Sequence, residues 1–315
     1  MNIRHGMQLL AFILPLVAAY MLSTLATRLA AVPTLPVPLR LVPVYVQSLE
    51  ELESLFEKVG YDWPLETGPV VPRMMLTSLP AGLTDDLSVE RKKALFLRIL
   101  LPVVLAENRH IRQQRAWLKQ VLAEGVPSEH SSAWRQLLQL AKEYDVSGNL
   151  HEVSKQRRLL QRIDEVPVAL VLAQAANESG WGSSRFVQQA NNLFGHWTYN
   201  SDQGILPLKR DKGKSHRVRV FPTLRLSVRA YLHNLNTSHA YSQLRQLRSA
   251  MRDKGQALNG DNLAAGLINY SERGEDYVRE IRALIQGNTL DRYESVQLRD
   301  GPRLPPAASD GQRKE

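Results

Sequence analysis

Along this chain the spacing of apolar positions changes several times, and each change marks an element. Met7 to Ala26 (MQLLAFILPLVAAYMLSTLA) carries no charge, follows Arg4 and His5, and gives way to the Pro- and Val-rich stretch VPTLPVPLRLVPVY over residues 32–45. About 20 apolar residues in a helix reach roughly 30 Å, the thickness of a bilayer's hydrocarbon core. With basic residues in front, the run predicts a signal-anchor and an exported remainder. The small residues Ala30 and Ala31 leave a cleaved signal peptide as the rival, and a buried core helix is the third reading. Residues 46–90 are mixed; one short acidic helix is predicted over Leu49–Lys58, with turns at Pro72 and Pro80, and no task can be assigned. From Lys92 the pattern turns helical: ALFLRILLPVVLAEN is apolar nearly all round, yet too short and too near charges to span a membrane. It reads as a core helix kinked at Pro102, with further helices over Ile111–Ala123 and Ser132–Tyr144.

Asp164–Gln286 can be read element by element. VPVALVLAQAANES is apolar almost throughout, Gln174 being the exception, and a helix of that kind runs through the middle of a domain. Asp164 is its candidate N-cap, Pro167 is tolerated in its first turn, and Gly180 ends it. ILPLK, DKGKS and HRVRVF predict a β-hairpin whose second arm alternates Val218 and Val220 with Arg217 and Arg219. Helices follow over Thr223–Leu235 and His239–Arg252, the latter with Leu244, Leu247 and Met251 at i, i+3, i+7. Asp261 can cap NLAAGLINY, and EDYVREIRALIQ puts Val278, Ile281 and Ile285 on one face before Gly287. From Asp291 the chain holds few core residues and reads as a loose tail. The expected architecture is mainly α with one small β-hairpin lobe. Its segments are 1–31 (anchor or signal peptide), 32–91 (spacer and N-terminal extension), 92–290 (the folded domain) and 291–315 (polar tail).

Composition narrows the chemistry. Of 315 residues 43% are hydrophobic and 23% charged, which excludes a disordered chain, a collagen-like one and a polytopic membrane protein. Cysteine is absent, so disulfides, thiolate metal sites and a cysteine nucleophile are excluded. A net charge of +9 suits anionic surroundings without choosing among nucleic acid, phospholipid headgroups and an anionic wall polymer. Export makes nucleic acid a poor partner. The basic hairpin turn (Lys209, Arg210, Lys212, Lys214, Arg217 and Arg219, with Asp211 the only acid) reads as a solvated turn, with contact to an anionic polymer or lipid as the alternative. His196 and His216 lack metal-ligand spacing, and no cofactor or metal is called for.

One carboxylate stands out. Glu178 ends the apolar helix, where burial, a neighbouring Trp181 and the negative end of the helix dipole all favour the protonated form. A glutamic acid that keeps its proton is the general acid that glycosidic cleavage requires; the competing reading turns Glu178 out into solvent. The following loop, Asn191-Asn192-Leu193-Phe194-Gly195-His196-Trp197, has the aromatic faces and amides that a sugar-binding groove needs, or that simple packing uses.

These residues carry a resemblance. LAQAANESGWGSSRF followed by NNLFG resembles the core of the glucosaminidase domain, glycoside hydrolase family 73. SVRAYLHNLNTSHAYSQLR and LAAGLINYSERGEDYVREI look like its Bax-type branch in Gram-negative bacteria, related to flagellar-type peptidoglycan N-acetylglucosaminidases. The similarity runs from about Lys92 to Leu290. It implies a lysozyme-like α+β domain whose β-lobe borders a glycan groove, and hydrolysis of β-1,4 bonds after N-acetylglucosamine in peptidoglycan. It implies Glu178 as the acid. Tyr270 stands where the family's YATD-type motif opens, although the residues after it depart from that motif, and it is the second catalytic candidate, with Tyr277 its rival. Trp181, Asn192, Phe194 and Tyr277 are then the expected substrate contacts. The family often places a second glutamate in the β-lobe; between His196 and Leu226 this chain has only Asp202 and Asp211, both read as structural. The second role therefore falls to the substrate's acetamido group or to a water held by Tyr270. The partners implied are peptidoglycan or another N-acetylglucosamine polymer and, through the N-terminal helix, the bacterial inner membrane, with the domain in the periplasm. A non-catalytic wall-binding module and a lytic transglycosylase stay open as alternatives. An amidase is disfavoured, there being neither a convincing zinc site nor a cysteine.

Overall fold

A computed structural model describes residues 34–65, 70–83, 86–206 and 217–299, with Val17, Tyr20 and Met21. The expected anchor lies outside the described residues apart from those three, and so do the basic hairpin tip, Asp211 and His216. Among the described residues no helix is long and apolar enough to cross a membrane.

In chain order the elements begin with β1 (Val42–Val44), α1 (Leu49–Lys58), β2 (Val70–Val71), β3 (Met74–Leu76) and α2 (Val89–Ala123). The sequence predicts two helices across α2; the structure has one, 35 residues and about 50 Å long, running through Pro102. Proline removes one intrahelical donor, and burial of every residue from Ile99 to Asn108 outweighs that loss. α3 (Ser132–Glu143) and α4 (Val153–Arg162) follow. Next comes α5 (Val168–Ser179), the apolar helix, which is buried from Val168 to Ala176 and packs against α2 on one side.

α6 (Arg185–Ala190) leads into the β-lobe of β4 (Trp197–Thr198), β5 (Gly204–Ile205) and β6 (Arg217–Arg219), antiparallel in the order β4-β6-β5. The predicted hairpin is β5 with β6; β4, only two residues long, is a third strand with too short a pattern to read. Val218 points inward as expected, but Val220 is exposed, because the strand ends at Arg219 and Phe221 takes the buried place. Then come α7 (Leu224–Thr237), α8 (Ser242–Asp253), α9 (Gly260–Ala264), α10 (Glu275–Gly287) and β7 (Gln297–Leu298). Val278, Ile281 and Ile285 of α10 are all fully buried, and α10 packs along α5. The mainly helical architecture with small sheets is as expected.

Two expected helix caps are corrected. Asn259, not Asp261, caps α9. Asp164 does not cap α5; its buried carboxylate binds Arg252 at 2.9 Å, and the first amides of α5 go to Glu294 instead.

The ends of the described chain are parts of the domain rather than appendages. β1 pairs in parallel with β3, and β2 with β7, so the N-terminal extension holds the segment after Leu290. Leu52, Phe56, Leu79 and Leu83 join the same apolar core as α2 and α5, as do Tyr293, Val296 and Leu298. A loose tail from Asp291 is therefore wrong as far as Arg299: Tyr293, Val296 and Leu298 seat on the core, a pattern too short to stand out from its polar neighbours.

Candidate active site

The site forms where α5 leaves the core. Asn177 and Glu178 are half-buried, and Gly180 stops the helix as predicted. Gly180, Trp181 and Gly182 have successive φ angles of 57°, 56° and 87°, which turn the chain back sharply. Ser179 ties the turn, its hydroxyl donating to the Ala175 carbonyl at 2.6 Å and accepting from the Gly182 amide at 3.0 Å. A non-glycine residue in this region costs about 1–3 kcal/mol and persists only where its surroundings over-determine it. The surroundings here are Phe96, edge-on to the Trp181 ring at 5.8 Å, and the Lys93 ammonium 5.0 Å from the ring centre. Gly182 must be glycine for space as well: a Cβ would sit 2.8 Å from Leu83 and 2.9 Å from Leu79. The N-terminal extension and the start of α2 thus form the seat of the turn beyond Glu178.

Glu178 is held rather than turned out. Its Oε1 accepts from the Tyr277 hydroxyl at 2.8 Å and from the Asn177 side-chain amide at 3.2 Å. Tyr277 lies in the first turn of α10, and its oxygen in turn accepts from Gln174 Nε2 at 2.8 Å. Gln174 is one turn before Glu178 on the same face of α5, and its Oε1 accepts from the hydroxyl of Tyr231 on α7. Gln174, Tyr231 and Tyr277 are all buried. Burial, with the Glu178 charge adding to it, pushes the phenols of Tyr277, Tyr270, Tyr231 and Tyr241 up, so each keeps its hydrogen.

The structure redistributes the roles expected of the other residues. Tyr277, not Tyr270, reaches Glu178. Tyr270 stacks on Tyr277 with ring centres 5.3 Å apart and donates its hydrogen to the Phe194 carbonyl at 3.1 Å, because the turn after Leu267 points it at the Phe194 loop. Asn192 is 1% exposed and saturated: its amide donates to the carbonyls of His196 (2.8 Å) and Arg219 (2.9 Å), and its oxygen accepts from the His196 amide (2.9 Å). It ties the β-lobe to the end of α6 and is too deeply buried to meet a sugar. Phe194 is buried and stacks on Tyr231 at 3.9 Å, so it is core rather than groove. Trp181 packs on Phe96 as described. His196 is kept neutral, burial and Arg219 lowering its pKa to about 4. Asp202 sits exposed in the turn Ser201–Gln203, bonded to Ser201.

Sequence reasoning missed Tyr199, which is 82% exposed, and, with Trp197 at 52%, gives the lobe two exposed aromatics at alternate positions. Two large clefts, of about 1180 and 820 Å³, lie elsewhere. The first runs between α2, α3, α7 and the β-lobe; the second surrounds Glu294 at the other end of α5. Neither is lined by Glu178, which is half-buried.

Residues 155–290 match the family model for the glucosaminidase domain, described as mannosyl-glycoprotein endo-beta-N-acetylglucosaminidase. Over 216 residues the chain is 35% identical to Protein bax of Escherichia coli (strain K12), covering 67% of this chain and 75% of that protein. The chain belongs to the Bax-type glucosaminidase-domain family. Among solved structures, the catalytic domain of the autolysin Auto from Listeria monocytogenes is similar over 56% of this chain and 95% of its own length, at 18% identity and a TM-score of 0.31. Membership makes the Bax-type chain an enzyme of glycoside-hydrolase type. The matched span holds Gln174, Glu178, Tyr231 and Tyr277 together, whereas the seat of the turn (Leu79, Leu83, Lys93, Phe96) and Glu294 lie outside it.

Proposed function

We propose that this Bax-type enzyme hydrolyses β-1,4 bonds after N-acetylglucosamine in peptidoglycan, with Glu178 as the general acid. The observation that carries the reading is the Glu178 carboxylate, half-buried at the end of a buried helix and fixed through one oxygen by Tyr277 and Asn177. The exposed rings of Trp197 and Tyr199 offer faces on which sugars stack.

In the first step the Glu178 proton goes to the bridging oxygen as its bond to C1 breaks. The substrate's acetamido oxygen takes the place of a second carboxylate by bonding to C1. Water then opens that ring, returning a proton to Glu178. Asp202 lies exposed in its own turn, which supports leaving it out of the chemistry. Tyr270 has its donor engaged by Phe194, which favours the acetamido route over a water held by that phenol.

Digestion of purified peptidoglycan, with the products weighed, tests the reading. Reducing N-acetylglucosamine ends are expected; anhydro-muramyl ends would make the enzyme a lytic transglycosylase, and no products would leave a binding module. Asp202→Asn combined with Asp211→Asn is expected to keep activity, and loss at unchanged stability would return the second role to a carboxylate. The uncharged run Met7–Ala26 supports a place at the bacterial inner membrane with the domain in the periplasm, which fractionation of the full chain tests.

A further inference from the structure

Tyr277 has one hydrogen and two neighbours, Gln174 Nε2 and Glu178 Oε1, each at 2.8 Å. Gln174 Nε2 donates to the Tyr277 oxygen, so the Tyr277 hydrogen lies toward Glu178 Oε1, which accepts it either as a carboxylate oxygen or as the carbonyl of an acid protonated at Oε2. Gln174 is fully buried, and no solvent reaches it to mend a wrong arrangement. Its orientation is determined by Tyr231, whose hydrogen needs the Gln174 carbonyl. Reversing the amide leaves that hydrogen without an acceptor and draws the Tyr277 hydrogen away from Glu178. The line Tyr231, Gln174, Tyr277, Glu178 therefore has one direction in which every buried group is satisfied.

Glu178 Oε1 then carries two donors, Tyr277 and Asn177, which fill its two lone pairs. We infer that Gln174 and Tyr277 are positioning residues that saturate Oε1 and so reserve Oε2 of Glu178 as the atom that carries the proton to the glycosidic oxygen. The inference rests on Glu178 being the acid. It assigns work to Gln174, the polar interruption of an otherwise apolar helix, which general-acid chemistry by itself does not explain.

The Gln174→Glu variant separates positioning from packing. In its neutral form the new side chain offers Tyr231 a carbonyl and Tyr277 a donor, as the amide does. In its ionised form it accepts from both phenols and takes the Tyr277 hydrogen from Glu178. Relative to the unsubstituted enzyme, kcat on peptidoglycan fragments is expected to fall progressively as pH rises, reaching about 10- to 100-fold, with KM unchanged. Tyr277→Phe, which keeps the ring and removes the hydroxyl, is a second variant expected to lower kcat by a similar factor at all pH values with KM unchanged. Thermal melting and circular dichroism on each variant establish that folded protein is compared. Unsubstituted kcat and pH profile in both variants, or losses confined to KM, overturn the inference. Glu178→Gln, run alongside, distinguishes the two levels: if it still cleaves, the acid assignment fails, and if it is inactive while both relay variants match the unsubstituted enzyme, only the relay fails.

Discussion

The two ends of α5 each hold a glutamate, and they are held in opposite ways. At the N-terminal end Glu294, 126 residues on from Val168, accepts from the amides of Val168 (3.0 Å) and Ala169 (2.9 Å). The helix itself supplies those donors, since its first amides have no partner within it. Pro167, at the cap position, brings no side-chain acceptor, so a remote carboxylate fills the place. At the C-terminal end the backbone offers only carbonyls, which repel a carboxylate. Donors for Glu178 have to be imported as side chains, from Asn177 beside it and from Tyr277 across on α10. The glutamate at the first end is a cap whose donors the helix itself supplies. At the second end it is held by side-chain donors, from Asn177 and Tyr277.

Exchanging each glutamate should separate the two roles. Glu178→Gln is expected to lower the cleavage rate by about 10²–10⁴-fold while leaving the unfolding midpoint nearly unchanged. Glu294→Gln is expected to keep activity. If both variants lose activity equally, the contrast between the ends of α5 is empty; release of reducing ends, measured beside thermal melting, decides it.

The seat of the turn is the next point to break. Gly182→Ala places a Cβ 2.8 Å from Leu83 and 2.9 Å from Leu79 at a φ of +87°. The expected cost is about 1–3 kcal/mol in urea unfolding. Leu79→Ala in the same background should recover part of it, since contacting residues couple. Simple additivity would mean that the N-terminal extension does not bear on the turn. A smaller effect belongs to Glu294→Ala, which leaves two helix amides without their acceptor and should cost about 0.5–2 kcal/mol.

Legibility followed sequence separation. Leu49–Lys58, the apolar helix with its stop at Gly180, and the buried face of α10 are written in local periodicity and turn chemistry, and they stand in the structure as read. Glu178 was legible for the same reason, as a carboxylate at the end of an apolar run. The contacts that hold it were not, although the resemblance names Tyr277 as the rival of Tyr270 and as a substrate contact. Tyr277 is 99 positions from Glu178, and Gln174 is 57 and 103 positions from its two partners, so only the fold brings them together. Gln174 did leave a trace as the one polar residue in that helix. Asn192 and Phe194 misled in the opposite sense. An amide and an aromatic ring in a loop look like ligand groups until the fold shows the amide saturated by backbone and the ring stacked on Tyr231.

The smallest expected effect is also the most specific to the capping end. Burial of its carboxylate, with Glu165 and Asp291 adding, lifts Glu294 from 4.5 to about 7, against the two backbone bonds that favour the charged form. A carboxyl group whose pKa is raised on folding contributes stability that is fully present below its ordinary value and is lost as pH rises through the folded one. The stability of the unsubstituted protein, relative to Glu294→Gln, should therefore decline between pH 4.5 and 7. The outer side of Glu294 meets solvent, which keeps the change below about 1 kcal/mol. His196 works with the other sign: its pKa falls from 6.5 to about 4 on folding, so its contribution grows as pH rises over nearly the same range. Only the difference between the two proteins isolates the cap, because His196 is common to both and cancels. A difference in unfolding free energy that stays flat from pH 4 to 8 would show that Glu294 holds its two amides without any linkage to protons.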